Sequence, residues 1–381
     1  MENPSSGILA PPADGTPKRA GPRILVLTAA VGEGHDLPAR TIATGIAERR
    51  HTATIEIVDV LDVLGPLVHR VAEDDMRRTF GAGRMNWVFD AQYLVFSRSP
   101  LRVAGQAALH RYSGPRLARA IAVSRPDVVV STYPAATEVL GFLRRRGRVA
   151  VPAVAVITDL AGLRYWASPG VDLHLVTHPE SIAEVRRVAG PGATAEAVRG
   201  LHDGRFLDPP REEEARRSLG LPRGPVIAVS GGGWGVGDVE GAVRVALETP
   251  DATVIALAGR NEQLLERLRA ESRSERARAL PFVDDLVTVL AASDVLVHST
   301  AGLTVLEALL VGCRPISYGW SVGHVRVNER AFRRTGLARV AGTRDELRAA
   351  IAGALADERR PLAPEFARLP HAADRILGLI E

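Results

Sequence analysis

The sequence predicts an α/β protein built as two Rossmann-like domains that face each other across a cleft. Three observations carry that expectation. The chain has 381 residues, more than one hydrophobic core ordinarily serves. Short β-branched runs alternate with amphipathic segments, as parallel strands joined by crossover helices do. The alternation occurs twice, with a break near Leu201 to Pro210, where Gly204, Pro209 and Pro210 punctuate the chain.

Taken in order, residues 1–22 are rich in Pro, Gly, Ala and Ser, lack an apolar stretch, and read as a disordered leader. The N-terminal domain, residues 23–205, is expected to hold strands at Arg23 to Thr28, Thr54 to Asp59, Asp127 to Ser131, Ala153 to Ile157 and Leu173 to Thr177. An irregular insertion separates the second of these from the third. The C-terminal domain, residues 206–381, is expected to hold strands at Val226 to Ser230, Thr253 to Leu257, Ala279 to Phe282, Val295 to Val297 and Arg314 to Ser317. Its last helix is free to return to the N-terminal domain.

Composition narrows the chemistry. Hydrophobic residues make up 46% and charged residues 24%, close to the soluble globular average. The longest apolar stretch, Leu296 to Cys313, is interrupted by His298 and Glu307, so no transmembrane helix is expected and the cytoplasm is the default location. Net charge is +4, and Lys18 in the leader is the single lysine, which removes P-loop, Schiff-base and kinase-type lysine chemistry. One cysteine, Cys313, leaves no intramolecular disulfide and no CxxC zinc site. The short cluster Arg144, Arg145 and Arg146 suits a helix C-terminus and does not argue for nucleic acid.

Ligands of parallel sheets sit beyond the carboxyl ends of the strands, so the residues that follow each strand are the informative ones. After the strand ending at Ser230 come Gly231, Gly232, Gly233, Trp234, Gly235, Val236 and Gly237, then a helix from Asp238 or Val239. One such glycine would answer a positive φ. Five in seven suit backbone amides that approach a phosphate in front of a helix N-terminus. After the first strand, Gly32, Glu33, Gly34 and His35 form a second loop. It matches a dinucleotide fingerprint only loosely, with Asp59 as the nearest ribose acid. His35 at that helix start is either a packing residue or a general base facing the cleft. A third loop, Ser299 to Thr304, precedes Glu307, whose two carboxylate oxygens match a ribose diol.

These residues together resemble a known family, the GT-B glycosyltransferases that include monogalactosyldiacylglycerol synthases and processive diacylglycerol glucosyltransferases. The lipid-linked N-acetylglucosaminyltransferase of peptidoglycan synthesis is a more distant relative. The resemblance spans most of the chain after the leader. It rests on GxGH at Gly32 to His35, "RPDVVVSTYP" from Arg125, "TDLAGLRYWASPGVD" from Thr158, the glycine loop, "AGRN" at Ala258 to Asn261, "PFVDDL" from Pro281, "SDVLV" from Ser293 and "AGLTVLEAL" from Ala301.

The resemblance implies inverting transfer from a UDP-sugar co-substrate, with no cofactor and no metal, and the chain indeed contains no Asp-x-Asp triplet. By the same resemblance, Gly231, Gly232, Gly233, Gly235, Asn261, Thr300, Ala301, Gly302, Thr304 and Asn328 serve the donor. Phe282 and Val283 bound the uracil, and Glu307 holds the ribose. His35 or Asp159 acts as base, beside Gly34 and Trp166 on the acceptor side. Departures fall at Ser299 to Gly302, at His324 and Val325, and around Leu163, Arg164 and Tyr165, which leaves the donor sugar open.

The insertion from Leu61 to Tyr112 gathers Trp87, Phe89 and Tyr93 among arginines in a chain that is only 4% aromatic. The cluster suits either plain core or a face that meets anionic lipid, making the protein peripheral on the inner membrane face. Rival readings are a serine hydrolase at Ser230, a sugar-nucleotide 2-epimerase, a non-lipid natural product as acceptor, and a sugar-nucleotide-binding protein without turnover.

Overall fold

The computed structural model describes residues 21–30, 33–70, 101–271, 276–300, 302–319 and 321–381. Strand β1 (Arg23–Thr28) shows how its sheet is held. Ile24 and Val26 enter one core with Ile42, Ile46 and Leu201, while Leu25 and Leu27 enter another with Leu117, Leu140 and Leu143. Successive strand residues point to opposite faces, so a continuously apolar run demands cover on both, the condition of a parallel sheet between helical layers.

β1 pairs in parallel with β2 (Thr54–Asp59) and β3 (Val128–Ser131). Next come β4 (Ala153–Ile157), β5 (Leu173–Val176) and β6 (Thr194–Ala197), giving a six-stranded sheet in the order β2-β1-β3-β4-β5-β6. The second sheet repeats the plan around β7 (Val226–Ser230), with Ile227 and Val229 in one core and Val226 and Ala228 in the other. With β8 (Thr253–Leu257), β9 (Ala277–Leu280), β10 (Val295–His298), β11 (Arg314–Tyr318) and β12 (Arg339–Ala341), it runs β12-β11-β10-β7-β8-β9. In both sheets the order reverses beside the first strand, between β1 and β3 and between β7 and β10. A crevice opens at the carboxyl ends there.

Two strands were not expected from the sequence, β6 and β12. Both are sheet-edge strands of four and three residues that are only partly buried, so they lack the apolar run that marks the central ones. β9 begins and ends two residues earlier than expected, which puts Phe282 in the loop after it.

Two sets of contacts tie the halves together. Leu160 and Ala161, which follow β4, share a core with Val305, Ala331 and Phe332 of the second half. Both of their amides donate to the Asn328 side-chain oxygen, at 2.9 and 3.1 Å. The last helix, Ala372–Leu377, packs against helix Glu33–Arg49 beneath β1, with Ala372 donating to the Arg199 carbonyl at 2.9 Å. No helix among the described residues is long and apolar enough to cross a membrane. The cluster holding Trp87, Phe89 and Tyr93 lies outside the described residues.

Candidate active site

The two crevices face each other and enclose a cavity of about 790 Å³. Its first wall carries Gly34 and His35 from the loop and helix after β1, and Asp159 and Trp166 from the segment after β4. His35 Nδ1 lies 2.9 Å from the carbonyl oxygen of Thr132. A carbonyl only accepts, so Nδ1 carries the proton and Nε2 keeps its lone pair. Tyr133 meets the ring edge-on at 5.2 Å between centroids, and Trp166 flanks it at 5.4 Å. Burial holds the imidazole pKa below its ordinary 6.5, against the upward pull of the Thr132 carbonyl and of Asp159 and Asp36. Asp159 is itself oriented, since Trp166 Nε1–H donates to its Oδ2 at 3.0 Å.

The opposite wall comes from loops after β7, β8, β9 and β10. Gly231 to Trp234 and Val236 line it, but several of this loop's amides already have partners. Gly232 donates to the Ser230 hydroxyl at 3.1 Å, Gly235 to the Gly232 carbonyl at 3.2 Å, and Val236 to the Gly231 carbonyl at 2.8 Å. The helix behind the loop, Val239–Leu247, is capped by the Asp238 carboxylate through Gly241 N at 3.0 Å, and neither Asp238 nor Val239 reaches the cavity. The helix start expected behind the glycine loop therefore stands outside the cavity wall. The helix start that does reach the cavity is that of Leu303–Leu310, where Gly302, Leu303 and Thr304 line the wall and no side chain caps the first turn. Helix-start amides of this kind are able to receive an anion. Gly302 has φ +77°, and a Cβ there would lie 3.0 Å from the Thr158 carbonyl oxygen, so glycine is what lets the halves approach.

Glu307, one turn into that helix, is only 4% exposed. Burial, reinforced by Asp203 and Glu33, pushes its pKa up to about 8. Thr300 is held by its carbonyl, which accepts from His298 Nδ1 at 2.6 Å, and burial pushes His298 down to about 4, keeping it neutral. Phe282 and Val283 complete this wall, and the Arg260 guanidinium lies over the Phe282 ring at 3.9 Å. Arg260 also reaches across the cavity to Glu33, 2.7 Å away.

Comparison with known proteins gives this geometry a context. The sequence profile of the monogalactosyldiacylglycerol (MGDG) synthase family matches residues 35–198. A processive diacylglycerol beta-glucosyltransferase of Bacillus subtilis is 23% identical over 354 residues, covering 88% of this chain and 87% of that protein. Its counterpart in Bacillus cereus is 22% identical, covering 94% and 93%. The spinosyn rhamnosyltransferase SpnG superposes with a TM-score of 0.60 at 15% identity, covering 94% of this chain and all of that one. MurG of Acinetobacter baumannii does so with a TM-score of 0.58 at 15% identity, covering 94% and 99%. The fold is GT-B, and the chain is similar in sequence to diacylglycerol glucosyltransferases along most of its length.

Within the GT-B cleft, the structure brings together Gly34, His35, Asp159, Trp166, Gly231, Gly232, Gly233, Phe282, Val283, Thr300, Gly302, Thr304 and Glu307. Three residues expected at the donor stand one layer behind the wall. Gly235 packs against the Ala258 carbonyl. Asn261 accepts from Leu264 N at 2.9 Å and donates to the Trp234 carbonyl at 3.5 Å. Asn328 bolts the halves together, as described above. Ala301 lies outside the described residues. Sequence reasoning missed Glu33, Trp234, Asp203 and Arg260, all on the wall. The signal for Arg260 is its place in "AGRN" directly after β8, where parallel sheets place ligand contacts.

Proposed function

We propose that the chain transfers a hexose from a UDP-sugar to the hydroxyl group of a diacylglycerol-type lipid, with inversion at the sugar. The observation that carries this reading is the facing of two features across one cavity. One is an imidazole with a fixed tautomer and a lone pair on Nε2; the other is the uncapped helix start at Gly302 to Thr304 beside the glycine loop. His35 Nε2 takes the acceptor hydroxyl proton as the acceptor oxygen attacks the anomeric carbon. The bond from that carbon to the diphosphate breaks, and its electron pair leaves with UDP, whose charge is met by the first-turn amides of the Leu303 helix and by Thr300. Glu307 accepts from the ribose diol, and Phe282 and Val283 bound the base. Asp159, held by Trp166, keeps the acceptor side oriented.

The lipid acceptor is supported by the names of the relatives, and we place the protein at the cytoplasmic membrane surface as a peripheral enzyme. The test is release of UDP from UDP-glucose, UDP-galactose and UDP-N-acetylglucosamine, each with and without diacylglycerol liposomes. Liposome-dependent release supports the reading and names the donor. Binding of all three without release in either condition would count against a lipid acceptor.

A further inference from the structure

The cavity wall carries two arginines, Arg260 and Arg40, and one carboxylate occupies both. Glu33 Oε1 accepts from Arg260 at 2.7 Å and Glu33 Oε2 from Arg40 at 2.6 Å. The Arg260 backbone is locked onto the glycine loop, its amide donating to the Gly233 carbonyl at 2.8 Å. Its guanidinium hangs over the same loop, because a Cβ on Gly233 would lie 3.5 Å from Arg260 Nη1 and 3.7 Å from Glu33 Cγ. The guanidinium also lies over the Phe282 ring, 3.9 Å from its centroid. A permanent cation therefore stands over the phosphate loop, with a carboxylate from the acceptor half holding it there.

We propose that Arg260 is the side-chain counter-charge of the donor's diphosphate and that it exchanges partners, from Glu33 in the empty cavity to phosphate oxygens when the nucleotide binds. This inference rests on the donor-site reading above. The Glu33 and Arg260 side chains are 29% and 42% exposed, and ion pairs so exposed are weak. A diphosphate brings more charge and a geometry that a guanidinium matches with paired hydrogen bonds, so it displaces a single carboxylate. Glu33 also opens the helix that carries His35 two residues on. Partner exchange thus reports donor occupancy to the helix start that holds His35. Arg260 is here a positioning residue for the leaving group, and Glu33 its competitor.

The experiment is titration of the full-length protein with UDP and, separately, with uridine, followed by tryptophan fluorescence, since Trp234 lies in the cavity wall. Wild type, Arg260→Gln, Glu33→Gln and the double variant are compared. Arg260→Gln is expected to weaken UDP about tenfold or more, the size of a lost charged hydrogen bond, and to leave uridine within about twofold. Glu33→Gln is expected to tighten UDP, and Arg260→Gln to cost more in that background than in wild type, because no competitor remains. Equal losses for UDP and uridine in Arg260→Gln, or weaker UDP binding in Glu33→Gln, would overturn the exchange and leave the pair as a plain strut. Wild-type protein that binds neither ligand would overturn the donor site itself, and this inference with it.

Discussion

His35 and Thr132 are joined by a hydrogen bond that fixes the imidazole tautomer: the ring donates Nδ1–H to the Thr132 carbonyl at 2.9 Å, leaving the lone pair on Nε2. Because burial holds the pKa below 6.5, the ring is neutral at physiological pH and stays so somewhat below it. His35→Ala is expected to lower turnover about 10²-fold or more, the usual share of a general base. The acidic limb of the kcat/KM profile should fall with an apparent pKa below 6.5, since protonation removes the base. A near-normal rate in His35→Ala would transfer the role to Asp159.

Glu307 gives a prediction with a definite sign. Its folded pKa of about 8 stands above the ordinary 4.5, so its contribution to stability is complete below 4.5 and is lost as pH rises through about 8. Glu307→Gln should therefore show a smaller fall in Tm between pH 5 and pH 8 than wild type does. A ribose diol donating to this group favours the carboxylate, so UDP binding at pH 7 should release protons, visible as a buffer-dependent calorimetric enthalpy. Glu307→Ala should raise the donor KM with kcat little changed. An unchanged KM would remove it from the ribose site.

Asn328 is expected to matter for stability before donor binding. Asn328→Ala leaves the buried amides of Leu160 and Ala161 without their acceptor, a loss of about 2 kcal/mol or more. Thermal unfolding measures it directly. An unchanged Tm together with a raised donor KM would restore the sugar-contact role that family resemblance implies.

Gly302→Ala should combine both effects. The positive φ and the 3.0 Å approach to the Thr158 carbonyl predict a destabilisation of about 1–3 kcal/mol and weaker UDP binding. Retention of both wild-type values would mean that the loop relaxes freely.

Much of this architecture was readable because central parallel strands announce themselves. β1, β4, β7 and β8 each carry an uninterrupted run of four or five apolar residues since both faces are covered, whereas β6 and β12, half-buried at sheet edges, leave no such run. The loops that line the cavity were found by the same logic, as the residues that follow each strand. What stayed hidden depends on contacts between distant segments. No spacing rule says which of two helix starts, that after Asp238 or that after Gly302, reaches the cavity. None says that Asn328 turns toward Leu160 rather than the cavity, or that Arg260 crosses the cleft to a residue 227 positions away.

In the proposed reaction this cavity moves a sugar onto a lipid hydroxyl by a single displacement. The most direct measurement incubates the protein with radiolabelled UDP-glucose and diacylglycerol liposomes, extracts the lipids, and determines the anomeric configuration of any glycolipid formed. Label is expected in the lipid fraction, in the anomeric configuration opposite to the donor's, and lost in His35→Ala. Label that stays in the aqueous phase while the donor binds, or a glycolipid that retains the donor's configuration, would contradict the proposed reaction.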